Sequence, residues 1–225
     1  MKKRDCMLFC MLCLLSFSGC GKESASSSPD EYDSYIIYSV DADVNEHGFE
    51  EVTDMIQYRA MLGLSSYNRR VNADYKKCEI KLEFNYEPNR ADFFVKTSAR
   101  PNLLEFRKGD SYTDELILNN NYHISNAIST YDESTMNWAV MLELNDAGKT
   151  EFARATEELS DSDTPISIWL DGELISAPLV HEPITDGQAV ITGNFTQQSA
   201  EELAMRINFS YLPYDVSVKD YSLSK

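Results

Sequence analysis

Apolar and polar residues alternate along several short segments of this 225-residue chain, and in other segments apolar residues recur every three or four positions. Alternation indicates strands with one buried face, whereas a spacing of three and four indicates amphipathic helices. In the first half of the chain these patterns predict strands at 35–41, 67–73 and 78–85 and a helix at 50–64. The segment 91–99 is ambiguous and fits a short helix. This order predicts a small sheet with one face covered by a helix.

The second half shows sharper patterns. Strands are predicted at 103–107, 138–144, 166–170, 174–177 and 189–192, with a short final strand around Val216 and Val218. Asp171-Gly172 predicts a tight hairpin, because a type I′ turn needs positive φ at both central residues. One helix is capped by Asn145 or Asp146, and another starts at Thr196, or alternatively at Ser199 with Glu202. The polar stretch 109–132 is expected to be loop-like. These elements predict an α+β fold of small antiparallel or mixed sheets packed with helices, in two subdomains.

Charge narrows the classes of partner. The chain has 37 acidic and 20 basic residues, which gives a formal net charge of −17. Sequence-independent binding to nucleic acid requires a surplus of Lys and Arg, so we expect no nucleic-acid partner. For the same reason charge alone would not hold this chain on anionic lipid headgroups.

The first nineteen residues have the pattern of an export signal. Lys2, Lys3 and Arg4 precede a mainly apolar run at 6–17, which has the length and flanks of a secretory signal peptide. Ser18-Gly19-Cys20 resembles the bacterial lipoprotein cleavage pattern, which implies cleavage before Cys20 and lipid attached to that residue. Residues 20–34 are polar and Ser-rich, so we expect a lipidated flexible linker. The predicted location is the extracytoplasmic face of the cell membrane, through a lipid anchor.

Cysteine usage argues against a disulfide framework. After removal of residues 1–19 and modification of Cys20, only Cys78 would remain as a free thiol. Its place in the alternating segment CEIKLEF predicts that it lies on the buried face of a strand, as an inert thiol.

Motifs for catalysis or metal binding are lacking in the sequence. His47, His123 and His181 have no ligand spacing, and no nucleophile elbow, phosphate-binding loop or dinucleotide fingerprint occurs. Asp171 is interpreted as turn chemistry because Gly172 follows it. We therefore predict no catalytic residue, no metal and no cofactor, and the ligand-binding residues stay unidentified. Loop tyrosines, such as Tyr112, Tyr122, Tyr131 and Tyr211, could contact a polypeptide.

Three stretches in the second half carry a family resemblance. They are WAVMLELNDAGKTEFARAT at 138–156, IWLDGELISAPLV at 168–180 and AVITGNFTQQSAEELAMRI at 189–207. Together they resemble the head of the first periplasmic domain of SecD, the accessory subunit of the bacterial Sec protein translocase. Weaker similarity includes the helix around Arg59 and the segment 103–107. Ser210-Tyr211 stands where the family has a glycine before Leu-Pro.

The resemblance implies a domain layout and a role. It implies a base-like, ferredoxin-type subdomain at 35–96, a SecD-like head at 97–214 and a C-terminal tail at 215–225. SecD carries transmembrane helices after this domain for its proton-coupled motor, and the sequence ends at Lys225. We therefore expect the role of the head, which is contact with unfolded secreted polypeptides or Sec translocon components, rather than proton-driven pulling.

Two competing hypotheses belong to other functional classes. An envelope or cell-wall binding lipoprotein could reuse the same fold, because fold alone does not fix function. A hydrolase would need a carboxylate or Cys78 beside a histidine in a pocket.

Overall fold

The computed structural model describes residues 32–65, 68–133 and 135–224. Residues from Tyr32 to Lys225 pack as one compact unit. The predicted signal peptide, Cys20 and most of the predicted linker lie outside the described residues. None of the described helices combines the length and apolar composition needed to cross a membrane.

The first half of the fold is a four-stranded antiparallel sheet covered by two helices. The strands are β1 (Ser34–Val40), β2 (Arg69–Asp74), β3 (Glu79–Phe84) and β11 (Val216–Ser222), and the helices are α1 (Glu46–Gly63) and α2 (Arg90–Thr97). The strand order is β11-β1-β3-β2. This β-α-β-β-α-β succession is the ferredoxin-like arrangement, with its last strand supplied by the end of the chain.

Local sequence explains these elements. Strand β1 buries every second residue, so Ile36, Tyr38 and Val40 face the helices. The Asn45 side chain accepts a hydrogen bond from the Gly48 backbone N–H and caps α1, which therefore begins four residues before its predicted start. The residues that fill the space between sheet and helices form the first core. They include Val52, Ile56, Ile80, Leu82, Phe84, Phe94 and Phe209.

The second half has two small antiparallel sheets and two helices. One sheet has the order β10-β7-β6, with β6 (Ile124–Asp132), β7 (Asn137–Leu144) and β10 (Gln188–Phe195). The other has the order β5-β4-β8-β9, with β4 (Leu104–Lys108), β5 (Glu115–Asn119), β8 (Ile166–Leu170) and β9 (Glu173–Ser176). The helices are α3 (Asp146–Leu159) and α4 (Gln197–Asn208).

Both sheets and both helices share the second core. It includes Phe106, Leu118, Val140, Leu142, Phe152, Ile168, Ile191 and Leu203. The two cores confirm the expected α+β class with two subdomains. Of the alternative caps, Asn145 caps α3 and Thr196 caps α4, where Thr196 and Ser199 bond reciprocally.

Two sequence-based expectations are wrong. The stretch 109–132 is not loop-like throughout, because it contains β5 and β6. Cys78 does not lie on the buried face of a strand. It precedes β3, adopts a left-handed conformation (φ 53°) after a short 3₁₀ turn, and is partly exposed.

The segment 215–225, expected to be a tail, contributes strand β11. Val216 and Val218 lie in this strand, as the pattern predicts, and Val218 pairs with Tyr38 of β1. The boundaries of the two subdomains stay a proposal, which the two cores support.

Candidate functional site

A buried arginine joins the two cores. Helix α1 places Arg59 where α2, the linker to β4 and the end of α4 meet, and the side chain is fully buried. Its guanidinium donates five hydrogen bonds to backbone carbonyls, those of Phe209 (3.0 Å), Ser98 (2.7 Å), Arg100 (2.7 Å), Pro101 (3.2 Å) and Ser210 (2.5 Å). A guanidinium has five N–H donors, so its donor capacity is fully used. Arg59 therefore fixes three separate chain segments against one another.

Burial dominates the electrostatics of this arginine. Loss of water around the charged form lowers the pKa of Arg59 to about 10, and the charge of Asp171 acts in the opposite direction. Burial also raises the pKa of the nearby Tyr38, whose hydroxyl is hydrogen-bonded to the Ser98 hydroxyl (2.8 Å). At neutral pH, then, Arg59 is charged and Tyr38 is neutral. The arrangement suits a rigid joint rather than proton transfer.

A second polar link ties the β8–β9 turn to helix α4. Arg206 donates to the Asp171 carboxylate (Nη2 to Oδ2, 2.7 Å) and to the Asn102 side chain (Nε to Oδ1, 3.0 Å). The Asp171 carboxylate also accepts from the Leu103 backbone N–H (2.8 Å). Both Asp171 and Gly172 have positive φ, as the hairpin prediction requires. The turn interpretation of Asp171 is therefore correct but incomplete.

An open cleft lies beside this joint. Two adjacent hollows, each of about 670 Å³, run between α2 and α4, and both are lined by Asn89, Phe93, Gln198 and Glu202. We call the two together the junction cleft. One hollow is also lined by Lys96, Arg100, Ile175, Phe195 and Arg206. The other is also lined by Leu62, Ile128, Glu201, Met205 and Asn208.

Apolar and charged side chains share the lining of the cleft. Partly buried apolar side chains, such as Phe93 and Met205, lie beside charged groups of both signs, such as Lys96 and Glu202. Such a mixed surface is complementary to a ligand that presents both apolar and charged groups. Within the described residues, no group of three or more His, Cys, Asp or Glu is placed to hold a metal ion.

The sequence-predicted candidates are scattered over the molecule. Tyr112 packs on Arg107 and Trp169 at the outer side of the β4–β8 sheet, and Tyr131 packs on Trp138. Neither of these tyrosines is among the residues lining the junction cleft. Cys20, the predicted lipid attachment site, lies outside the described residues.

Among the described residues, a histidine lies beside a carboxylate at two hollows, which is what the hydrolase hypothesis requires. His181 and Glu182 line a hollow between the two sheets of the second core, whose described lining includes neither serine nor cysteine. The other is a surface pair. His47 Nε2 lies 3.4 Å from Glu51 Oε1 on α1, with the His47 side chain 82% exposed. The described residues that line the hollow around this pair include neither serine nor cysteine. Cys78 lines a different hollow, which contains no histidine among its described residues.

Sequence reasoning noticed Arg59 only through the family resemblance. A local signal was available, because Arg59 falls on the apolar stripe of α1, three residues after the buried Ile56 and four before the buried Gly63. A charged residue on such a stripe needs hydrogen-bond partners when the helix packs.

Comparison with known families bears on the half that contains α3 and α4. Residues 103–214 match the family model described as the SecDF P1 head subdomain. Residues 103–214 form a SecD-like head domain. Protein translocase subunit SecD of Synechocystis is 35% identical over 101 residues, covering 43% of this chain and 21% of the relative. SecD of Dictyoglomus turgidum is 34% identical over 142 residues, which cover 63% of this chain and 33% of the relative. The chain therefore spans only a fifth to a third of these two relatives.

Solved structures extend the likeness to the whole described fold. SecDF in a super-membrane-facing form superposes with a TM-score of 0.70 at 20% identity, over 84% of this chain and 30% of that one. A structure of SecDF, a membrane component that enhances protein export, superposes with a TM-score of 0.69 at 19% identity, over 84% of this chain and all of that one. At such identity the likeness establishes the fold, which is that of the SecDF periplasmic domain.

Proposed function

We propose that this chain is a membrane-anchored extracytoplasmic lipoprotein whose SecD-like module contacts polypeptide during protein export. The observation that carries the proposal is the match of residues 103–214 to the SecDF P1 head. We assign it a non-catalytic role, in keeping with relatives that are translocase subunits. Its partners would be secreted polypeptides in unfolded form, or components of the Sec translocon.

The junction cleft is the contact site that we propose. It is open, combines apolar side chains with charges of both signs, and lies on a joint that Arg59 and Arg206 hold in place. A rigid frame lowers the entropic cost of binding a flexible chain, because only the ligand has to be ordered. An unfolded segment offers apolar side chains and charges together, which this lining complements.

Photo-crosslinking in cells tests the contact. A photo-reactive amino acid in place of Phe93, in the full-length chain, should crosslink to newly exported polypeptides. The matched control is the same amino acid in place of Tyr122, which is 68% exposed and not among the residues lining the cleft. Labelling of only abundant envelope proteins, equally from both positions, would favour an envelope-binding lipoprotein instead.

The anchor is tested separately. Palmitate labelling of cells should mark the full-length chain and should disappear with Cys20→Ser. Fractionation should move the Cys20→Ser variant out of the membrane fraction, since acyl chains supply the predicted attachment. A Cys20→Ser chain that keeps its label and its membrane location would refute lipidation at Cys20, without touching the polypeptide proposal.

A further inference from the structure

An apolar row crosses the outer face of the β10-β7-β6 sheet, with exposed side chains at its two ends and the partly buried Met141 between them. Ile128 of β6 pairs with Met141 of β7, and Met141 pairs with Val190 of β10. Directly opposed side chains in antiparallel strands lie about 5 Å apart, so the three side chains form one continuous strip. Val140 and Leu142, on either side of Met141, are buried in the second core, which leaves Met141 on the opposite face. Ile128 is 40% exposed and Val190 is 51% exposed.

Each end of the row adjoins a concave site. Ile128 also lines the junction cleft. Val190 and Leu179 line a hollow of about 400 Å³ that reaches the buried Phe106 and Phe152 between the two sheets of the second core. We call this hollow the head pocket. The apolar row thus connects the junction cleft, through Ile128, with the head pocket, through Val190, and we call the three together the track.

Acidic groups border the row and the head pocket, whereas the junction cleft carries charges of both signs. Glu143 lies two positions along β7 from Met141, and Glu182 lies at the head pocket. In the cleft, Glu201 and Glu202 lie beside basic side chains, which are Arg90, Lys96, Arg100 and Arg206. The acidic groups belong to a chain with a formal net charge of −17. A ligand that carries positive charge beside its apolar groups is therefore complementary to the row and the head pocket.

We infer that the track binds an extended polypeptide segment that is rich in apolar residues and carries basic residues. The inference rests on the proposed polypeptide-contact function and extends it beyond the junction cleft. The segment leaves the cleft, crosses the row through its apolar side chains and places one of them in the head pocket. At the row and the head pocket, the acidic groups favour basic segments over acidic ones.

Matched double variants test the row. Ile128→Thr with Val190→Thr removes apolar surface and keeps β-branched side chains suited to strands. Leu116→Thr with Leu174→Thr is the control, because these strand residues on the other sheet are likewise 40% and 51% exposed. The protein is the compact unit 32–225, and equal melting temperatures of the variants and the parent establish that it remains folded.

Three labelled peptides of equal length serve as probes. The first is apolar with interspersed Lys, the second replaces its apolar residues by Ser, and the third replaces its Lys by Glu. Fluorescence anisotropy should show binding of the first alone, weakened about fivefold or more by the row variant and less than twofold by the control. Binding of the first peptide should also weaken as salt is raised.

The outcomes separate the two proposals. If the parent protein binds none of the peptides, polypeptide contact itself is overturned, and the track falls with it. If the parent binds the first peptide and the row variant binds it as well as the control variant does, the track alone is wrong. A photo-reactive residue in place of Val190 gives an independent readout, since it should crosslink the first peptide whereas the same residue in place of Leu174 should not.

Discussion

At the residue scale, the buried guanidinium of Arg59, bonded to five backbone carbonyls, is the feature that most constrains the fold. The carbonyls that Arg59 contacts come from the segment after α2 and from the end of α4, so one side chain ties both segments to helix α1. The Arg100, Pro101 and Phe209 carbonyls each accept one further hydrogen bond, from Asn102 Nδ2, the Leu212 N–H and the Ser210 hydroxyl. Removal of the guanidinium therefore falls hardest on the Ser98 and Ser210 carbonyls, and each buried group left unsatisfied costs about 1–3 kcal/mol.

Arg59→Lys is therefore expected to destabilise the protein strongly. A lysine keeps the charge but has three donors on one nitrogen, which cannot reproduce the fork that reaches five carbonyls. We expect a loss of about 3 kcal/mol or more in the free energy of unfolding. Urea unfolding of residues 32–225 measures it. Arg154→Lys, at a side chain that is 59% exposed and bonded to Glu151, should change stability by less than about 0.5 kcal/mol.

Glu83, on the outer face of the first sheet, makes the stability of the fold depend on pH in the acidic range. Arg70 and Lys81 both donate to the Glu83 carboxylate (2.8 Å each), and they hold its pKa below the ordinary value of 4.5. A carboxyl group whose pKa is lower in the folded than in the unfolded protein stabilises the fold at pH values above the unfolded-state pKa. That stabilisation is lost as the pH falls through the folded-state pKa. Glu83→Gln should thus lower the free energy of unfolding by about 0.5–1 kcal/mol at pH 7 and change it little near pH 3. Equal losses at both pH values in urea titrations would contradict this assignment.

At the element scale, periodic segments were predictable and small-residue strands were not. Strand β7 and helix α3 follow from their apolar spacing, and the core side of β7 is the expected one. Strand β6 was missed because its core-facing positions include Ala127 and Ser129, which give no apolar alternation. Its edge is tied by the Asn208 side chain, which donates to the Ala127 carbonyl and accepts from the Ala127 N–H. Such a tertiary bond has no local sequence signal.

Helix α3 depends on a glycine at its first turn. Gly148 is buried against the backbone carbonyl of His123, and a Cβ there would clash with that oxygen. Because backbone cannot swing aside as a flexible side chain can, Gly148→Ala should cost about 1–3 kcal/mol despite the higher helix propensity of alanine. Denaturant unfolding measures this. Glu157→Ala, at an exposed position of the same helix, should be close to neutral, and equal effects of the two would refute the close-approach argument.

The capping box of α4 gives a second element-scale prediction. The Thr196 hydroxyl accepts from the Ser199 N–H (3.1 Å), and the Ser199 hydroxyl accepts from the Thr196 N–H (2.9 Å). Thr196→Ala removes one of these bonds and should cost about 1 kcal/mol, whereas Thr196→Ser should keep most of it. Thermal unfolding compares them. If serine and alanine behave alike, the hydroxyl does not cap this helix.

At the scale of the whole molecule, the end of the chain completes the first sheet. Strand β11 follows the second core in sequence but pairs with β1, and Phe209 and Leu212 also lie in the first core. A pairing such as Tyr35 with Ser222 spans nearly the entire described chain, so no local pattern can reveal it. The head signature was readable because it lies in contiguous strands and helices. The joint and its cleft were not, because they arise from segments far apart in sequence.

Truncation after Asp215 should therefore damage the first core and spare the second. Without β11, strand β1 loses one antiparallel neighbour and its buried face loses the cover of Val216 and Val218. Amide hydrogen exchange should rise in β1 and α1, while β7 and α3 keep their protection, because exchange reports local opening free energies. Removing only the last two residues leaves β11 intact and serves as the control. Exchange that rises equally in both cores would show that they unfold as one unit, and unchanged exchange in β1 would show that β11 adds nothing to the first sheet.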